Sequence, residues 1–206
     1  MNISTNFDQN ISHFHEILDI SKNFDIVYRT LTIAGKNACL YFVDGFTKDE
    51  ILLRLMQDFA SVKPDAFPAD DMPEDATSFS TSCIPYVEVD ILGDFDSIFK
   101  NLLSGVTCLF IDGYEAAIAI DCRTYPARGV SEPEKDKVLR GSRDGFVETM
   151  IFNTALIRRR IRDPKLIMEM LSAGNSSHTD IAVCYMEGRV DEELLNNIRS
   201  RIRNLR

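Results

Sequence analysis

Six arginines stand between Arg140 and Pro164, in the stretch RGSRDGFVETMIFNTALIRRRIRDP of a chain whose formal net charge is −9. Residues of these types could do three sorts of chemistry. Glycines ahead of a helix N-terminus can cradle a phosphate. A serine beside a base can act as a nucleophile. An arginine fork can clamp a carboxylate in fixed geometry. The first two lack their remaining parts: neither G-x-x-x-x-G-K-[ST] nor G-x-G-x-x-G occurs, and Ser142 has no G-x-S-x-G elbow and no histidine near it in sequence. Asp112, Glu115 and Asp121 could mimic a metal-nuclease site, but Asp112 reads as a turn residue and Glu115 as strand surface. His13, His15 and His178 show no zinc-ligand spacing. The sequence predicts no metal, no cofactor, and no hydrolase, transferase or nucleotide-binding activity.

The arginines can also be explained by the ends of one helix. Spanning about Arg143 to Arg162, it would take Ser142 as N-cap and carry Asp144 and Glu148 in its first turns. Arg158, Arg159, Arg160 and Arg162 would fill its last turn before Asp163-Pro164 stops it. Each such charge contributes about 0.3–1 kcal/mol. Phe146, Met150, Ile157 and Ile161 are the expected core-facing stripe. Asn153 falls inside that stripe, and a buried amide needs partners, here expected in the connector backbone or a neighbouring strand. Successive helix residues point about 100° apart. At least one of the three consecutive arginines should therefore meet the body of the protein, with Glu132–Glu134 as one candidate, and another should face a partner. Arg140 and Arg143 are expected to hold the Glu132-Pro133 connector against the start of the helix.

The elements that must position these residues are legible from periodicity. DIVYRTLTI (25–33) and ACLYFV (38–43) read as strands around a turn at Gly35. Thr47-Lys48-Asp49-Glu50 has the form of a capping box for a helix over about 48–62, apolar at 51, 52, 55, 56, 59 and 62. The Pro- and Asp-rich stretch 64–82 reads as a loop, YVEVDI (86–91) as a strand, and DFDSIFKNLLSG as a short helix ending at Gly105. TCLFIDGYEAAIAID places Asp112-Gly113 between two apolar runs, a strong hairpin signal. LYFVDGF and LFIDGYE echo one another, which alone establishes no repeat. Beyond the connector lie two strands (165–173 and 179–187) and a last helix from Asp191. The class is mixed α/β. The expected division is 1–125 as a first α/β subdomain, 126–142 as a charged Pro/Gly linker, and 143–206 as a second. A hairpin with two helices is small for a core of its own, so the second is expected to be incomplete.

Composition narrows the function classes. A chain of 206 residues, 45% hydrophobic and 27% charged, can bury a real core. No window approaches the about 20 apolar residues of a membrane span, and the N-terminus lacks signal-peptide regions, so a soluble, non-exported protein is predicted. Five cysteines, an odd number without C-x-x-C, read as reduced thiols. Residues 1–100 hold 7 Lys+Arg against 17 Asp+Glu, whereas 123–165 hold 11 against 6. The acidic half argues against nucleic acid as a partner. The local basic excess suits a carboxylate, a phosphate or an acidic protein surface.

Several separated motifs, in order, carry a family resemblance. Glu132-Pro133, RGSRDGF (Arg140, Gly141, Ser142, Arg143, Asp144, Gly145, Phe146), Glu148, Asn153, LIRRRI (156–161, with Arg158, Arg159 and Arg160) and Asp163-Pro164 resemble the spore germinant-receptor A-subunit (GerA) family. LLSGVTCLFIDGYEAAIAIDCRTYPARGVSEP before them and TDIAVCYMEG after them are similar to it too. The commoner loop of that family has Pro followed by Arg-Glu-Gly-Phe; here Ser142 and Asp144 stand instead, which with YFVDGFTKDE is more similar to the SpoVAF branch than to a germinant-sensing subunit. The resemblance implies the soluble N-terminal domain of a polytopic spore inner-membrane protein, on the cytosolic side, made of two small α/β subdomains like pieces of substrate-binding proteins. It implies as partners the protein's own membrane-embedded region and other copies or subunits of an oligomeric, channel-like germination complex. Binding of a small-molecule germinant is the alternative.

Overall fold

The computed structural model describes residues 1–62, 75–125 and 145–205. Its architecture is mixed α/β, as the patterning predicts. Strands β1 (Ile26–Ile33) and β2 (Lys36–Val43) form an antiparallel hairpin, with Gly35 at φ +82° in its turn. With β3 (Val89–Leu92), β4 (Thr107–Ile111) and β5 (Ala117–Ile120) they build one antiparallel sheet of order β1-β2-β4-β5-β3. Every residue of β4 and β5 is buried, because both faces of the sheet are covered; that is why these strands read as continuous apolar runs rather than alternating ones. On one face pack α1 (Phe7–Ile17) and α4 (Phe95–Leu103), through Phe14, Phe95, Phe99 and Leu102 against Tyr41 and Phe110. On the other lie α2 (Asp49–Ser61) and α3 (Ala76–Cys83), through Leu55, Phe59 and Phe79 against Leu40, Leu109 and Ile118.

Some local expectations change. The capping box at Thr47 is not formed: Lys48 is the N-cap of α2 and no side chain caps it. Thr47 instead makes a β-bridge with Arg123, which leaves it one residue too early to cap. The expected loop 64–82 contains α3, capped by Asp75, whose carboxylate accepts from the Ser78 amide at 2.7 Å. Ala76, Phe79 and Cys83 are its buried residues, a helical spacing hidden among Ser and Thr. The Asp112-Gly113 hairpin is present, closed by residues 112–116 with Gly113 at φ +82°.

The C-terminal part consists of α5 (Met150–Arg160), the hairpin β6 (Leu166–Ala173) and β7 (Thr179–Met186), and α6 (Glu192–Arg203). The hairpin and α6 lie where the sequence places them, and Asp191 caps α6 by accepting from the Leu194 amide at 3.0 Å. Helix α5 starts at Met150, not near Arg143, and Thr149 rather than Ser142 is its N-cap. The expected stripe is also corrected: Phe146 and Ile161 are exposed, and α5 buries Thr154, Ala155 and Arg158. Close approach to β2's end selects that face. A Cβ added at Gly45 would lie 3.0 Å from Ile151 Cγ2 and 3.3 Å from Ala155 Cβ, so the glycine at 45 is what lets α5 lie this close.

The five cysteines are free thiols, and burial pushes Cys108 up to about 12. Helix α1 docks partly through His15, whose Nε2 is 2.8 Å from the buried Tyr41 hydroxyl and whose ring leans on Tyr28. Burial lowers the His15 imidazole below its ordinary 6.5. The unfolded chain therefore takes up this proton more readily than the folded one. The stabilisation is complete above about pH 6.5 and is lost as pH falls through the lowered folded value. The fall in melting temperature from about pH 7.5 to 5 should be steeper in the parent than in His15→Gln; equal slopes would refute this.

Candidate functional site

The arginine run delivers its first member to the interior. Arg158 has no exposed side-chain surface, and Asp25, its partner, has 2%. Arg158 Nε donates to Asp25 Oδ2 at 2.7 Å and Nη2 to Oδ1 at 3.1 Å, a two-pronged fork onto one carboxylate. Nη2 is shared with Asn23 Oδ1 at 3.3 Å and the Leu166 carbonyl at 3.1 Å, and Nη1 donates to the Asp163 carbonyl at 3.4 Å. Asn23 is also buried. Its Nδ2 donates to the Leu18 carbonyl at 2.6 Å, while its Oδ1 accepts from the Met168 amide at 2.7 Å. The Phe24 amide donates to the Met168 carbonyl at 3.1 Å, and the Asp44 amide to the Asp25 carbonyl at 2.8 Å.

This cluster joins the end of α1, the entry to β1, helix α5 and strand β6 at one buried point. Burying two charges is costly unless the pair is well oriented and its other polar atoms are bonded, and both conditions hold here. The guanidinium is occupied on all sides by protein acceptors, so it is a joint rather than an anion site. The fork geometry is arginine's own.

Arg159 turns a different way. Its guanidinium lies 4.5 Å from the Tyr125 ring centroid. Tyr125 donates to the Ser104 carbonyl at 2.7 Å and stands edge-on to Phe46 at 5.2 Å. Arg123 reaches Ser104 Oγ at 2.9 Å and is forked onto Asp121, with Nε to Oδ1 at 2.6 Å. That bond holds the Asp121 carboxyl below its ordinary range. Arg160, the third member, is exposed. One helix turn therefore sends three arginines to three surroundings.

The other predicted residues are dispersed. Glu132, Pro133, Arg140, Gly141 and Arg143 lie outside the described residues, as do Ser142 and Glu134. Gly145, Phe146 and Glu148 are exposed on the approach to α5. Asn153 pairs reciprocally with Val147: its Oδ1 accepts from the Val147 amide and its Nδ2 donates to the Val147 carbonyl, both at 2.7 Å. That pairing imitates a strand bridge and holds 147 out of the helix. Asp112 and Glu115 sit in the hairpin loop, while Asp121 lies past the other end of β5, in Arg123's fork. They do not form one site. Sequence reasoning missed Asn23, Asp25 and Tyr125; Asp25 is 133 positions from Arg158, and no local signal links the two. Among the described residues, no group of side chains has the makings of a metal site, and no helix is long and apolar enough to cross a membrane.

Known proteins share both sequence and architecture with this chain. It is 31% identical over 197 residues to stage V sporulation protein AF of Bacillus subtilis (strain 168), covering 96% of this chain and 39% of that protein. It is 24% identical to spore germination protein B1 of the same strain, over all of this chain and 41% of that protein. The chain thus spans about two-fifths of the length of these relatives. In fold it superposes on the N-terminal domain of the A subunit of the Bacillus megaterium spore germinant receptor GerK3, with TM-score 0.75 and 18% identity, over 100% of this chain and 74% of that one. The family model of the Bacillus/Clostridium GerA spore germination proteins matches residues 13–206, and the chain belongs to that family.

Proposed function

We propose that these residues form a non-catalytic assembly or gating module of a spore germination complex, lying on the cytosolic side of the spore inner membrane. Its partners are the protein's own membrane-embedded region and further copies or subunits. The Arg158–Asp25 joint carries this reading. A buried fork that pins α5 and β6 to the entry of β1 lets the C-terminal helix–hairpin–helix unit transmit a displacement to the N-terminal sheet rather than move independently. We place the division of the chain at 1–125 and 143–206, with 126–142 as the linker. Exposed Arg160 is the member of the triplet we assign to a neighbouring copy, since a rim charge tunes encounter and register more than folding. Arg160→Glu should leave the chain folded by circular dichroism while lowering recovery of the complex from spore membranes on native gels. Undiminished recovery would sink this role.

A second reading, binding of a small molecule, is favoured by one feature. A groove of about 390 Å³ between α2 and α3 is lined by polar Asp58, Ser61, Thr81 and Ser82 together with Val62, Cys83, Ile84 and Pro85. Calorimetry with amino acids and sugars, repeated on Asp58→Ala, separates the two readings.

A further inference from the structure

The chain contains the same unit twice. Helix, two antiparallel strands and helix recur as α1-β1-β2-α2 and α5-β6-β7-α6, with lengths of 11, 8, 8 and 13 residues against 11, 8, 8 and 12. The starts of α1 and α5, of β2 and β7, and of α2 and α6 are each 143 positions apart (7 and 150, 36 and 179, 49 and 192). The turns into the second helices match in detail. VDGFTKDEIL (43–52) aligns with MEGRVDEELL (186–195), and Gly45 and Gly188 share left-handed φ values of +80° and +74°. Leu52 and Leu195, equivalent in this frame, are both buried.

The two units differ in what covers them. In the first, β2 pairs over Ala38–Tyr41 with β4, a strand that follows α2 in the chain, and Leu55 of α2 is buried at 3% exposure. In the second, β7's only strand partner among the described residues is β6, and the residue equivalent to Leu55, Ile198, is 37% exposed. The outer edge of β7 carries main-chain groups ready to pair. Met168 spends its amide and carbonyl on Asn23 and Phe24, away from β7. Its cross-strand neighbour Cys184, and Ala182 two residues on, therefore turn their amides outward. An eight-residue edge with a single charge along it, Asp180, is a template for another strand.

We propose that the edge of β7 over Ile181–Cys184 is the docking site of an antiparallel strand equivalent to β4, supplied by the same polypeptide C-terminal to α6, and that this strand's unit covers Ile198. The internal repeat names the occupant, because β4 follows α2 in the chain. The lengths agree: the whole chain is matched within the GerK3 domain yet spans 74% of it. This is independent of the assembly reading.

Hydrogen–deuterium exchange on the 206-residue chain and on the polypeptide encoded by the complete gene tests it. The Ala182 and Cys184 amides should exchange near the unfolded rate in the former and at least about 100-fold more slowly in the latter. The inward amides of Val183 and Tyr185 should be protected in both. Ile198→Asp should lower the melting temperature of the complete polypeptide by clearly more than that of the 206-residue chain. Fast exchange at Ala182 and Cys184 in both forms overturns the proposal. So does protection that appears in the 206-residue chain as concentration rises, which assigns the edge to a second copy.

Discussion

Arg158→Ala is expected to lower the melting temperature of this chain by roughly 6–20 °C. Removing one partner of a buried ion pair costs about 3–5 kcal/mol, because the other charge stays buried without compensation. A domain of this size loses about 2–4 °C per kcal/mol. Here the loss reaches past the pair: Asp25 would lose both prongs of the fork, and the Asn23 side chain and the Leu166 carbonyl would each lose a donor. Arg158→Lys should recover only part of the stability, since a single ammonium cannot meet the fork and the Leu166 carbonyl together. Arg158→Met combined with Asp25→Leu should be much milder than either single change, because an apolar pair of similar volume removes the desolvation cost from both sides. Exchange at the Met168 amide, which donates to Asn23, should accelerate in Arg158→Ala. If that variant melts within about 2 °C of the parent, where a surface substitution would put it, the buried joint does not hold the two parts together.

Gly105→Ala is the other change of large expected effect. Gly105 ends α4 at φ +100°, a backbone that costs an L-residue about 1–2 kcal/mol. A Cβ there would lie 2.5 Å from Cδ2 of Phe46 and 3.0 Å from its Cγ. Phe46 is fully buried and stands edge-on to Tyr125, so the ring cannot swing into solvent. Overpacking of this kind adds about 1–3 kcal/mol. The sum, about 2–5 kcal/mol, corresponds to roughly 4–20 °C. Because Tyr125 also carries Arg159 on its face, Gly105→Ala and Arg159→Ala should be less than additive in a double-mutant cycle. Gly93→Ala is the control. Nothing lies within 4 Å of a Cβ there, so it should be neutral or stabilise by up to about 1 kcal/mol. Equal melting of the Gly93 and Gly105 variants would overturn the packing account.

What the sequence alone determined was local. The Gly35 and Asp112-Gly113 turns, the two 8-residue strands of the C-terminal hairpin and the Asp191 cap follow from residues within a few positions of one another. Turn chemistry and alternation act over that range. The same holds for the motif order that points to the GerA family, from Arg140-Gly141 to Asp163-Pro164, which is a property of the string and needs no coordinates. The length of α5 does not follow from residues 143–162 as a string, and α5 spans Met150–Arg160. Asn153's pairing with Val147 outweighs helix propensity at 147, and such an amide reads from sequence as one more polar residue in a stripe. Which arginine is the joint depends on the assembled fold. Arg158, Arg159 and Arg160 are identical in type and adjacent in sequence. Their roles differ because Asp25 arrives from 133 positions away and Tyr125 from the end of the sheet. Desolvation then turns one of three equal charges into a fixed contact, and it acts on position in space, which spacing along the chain does not encode.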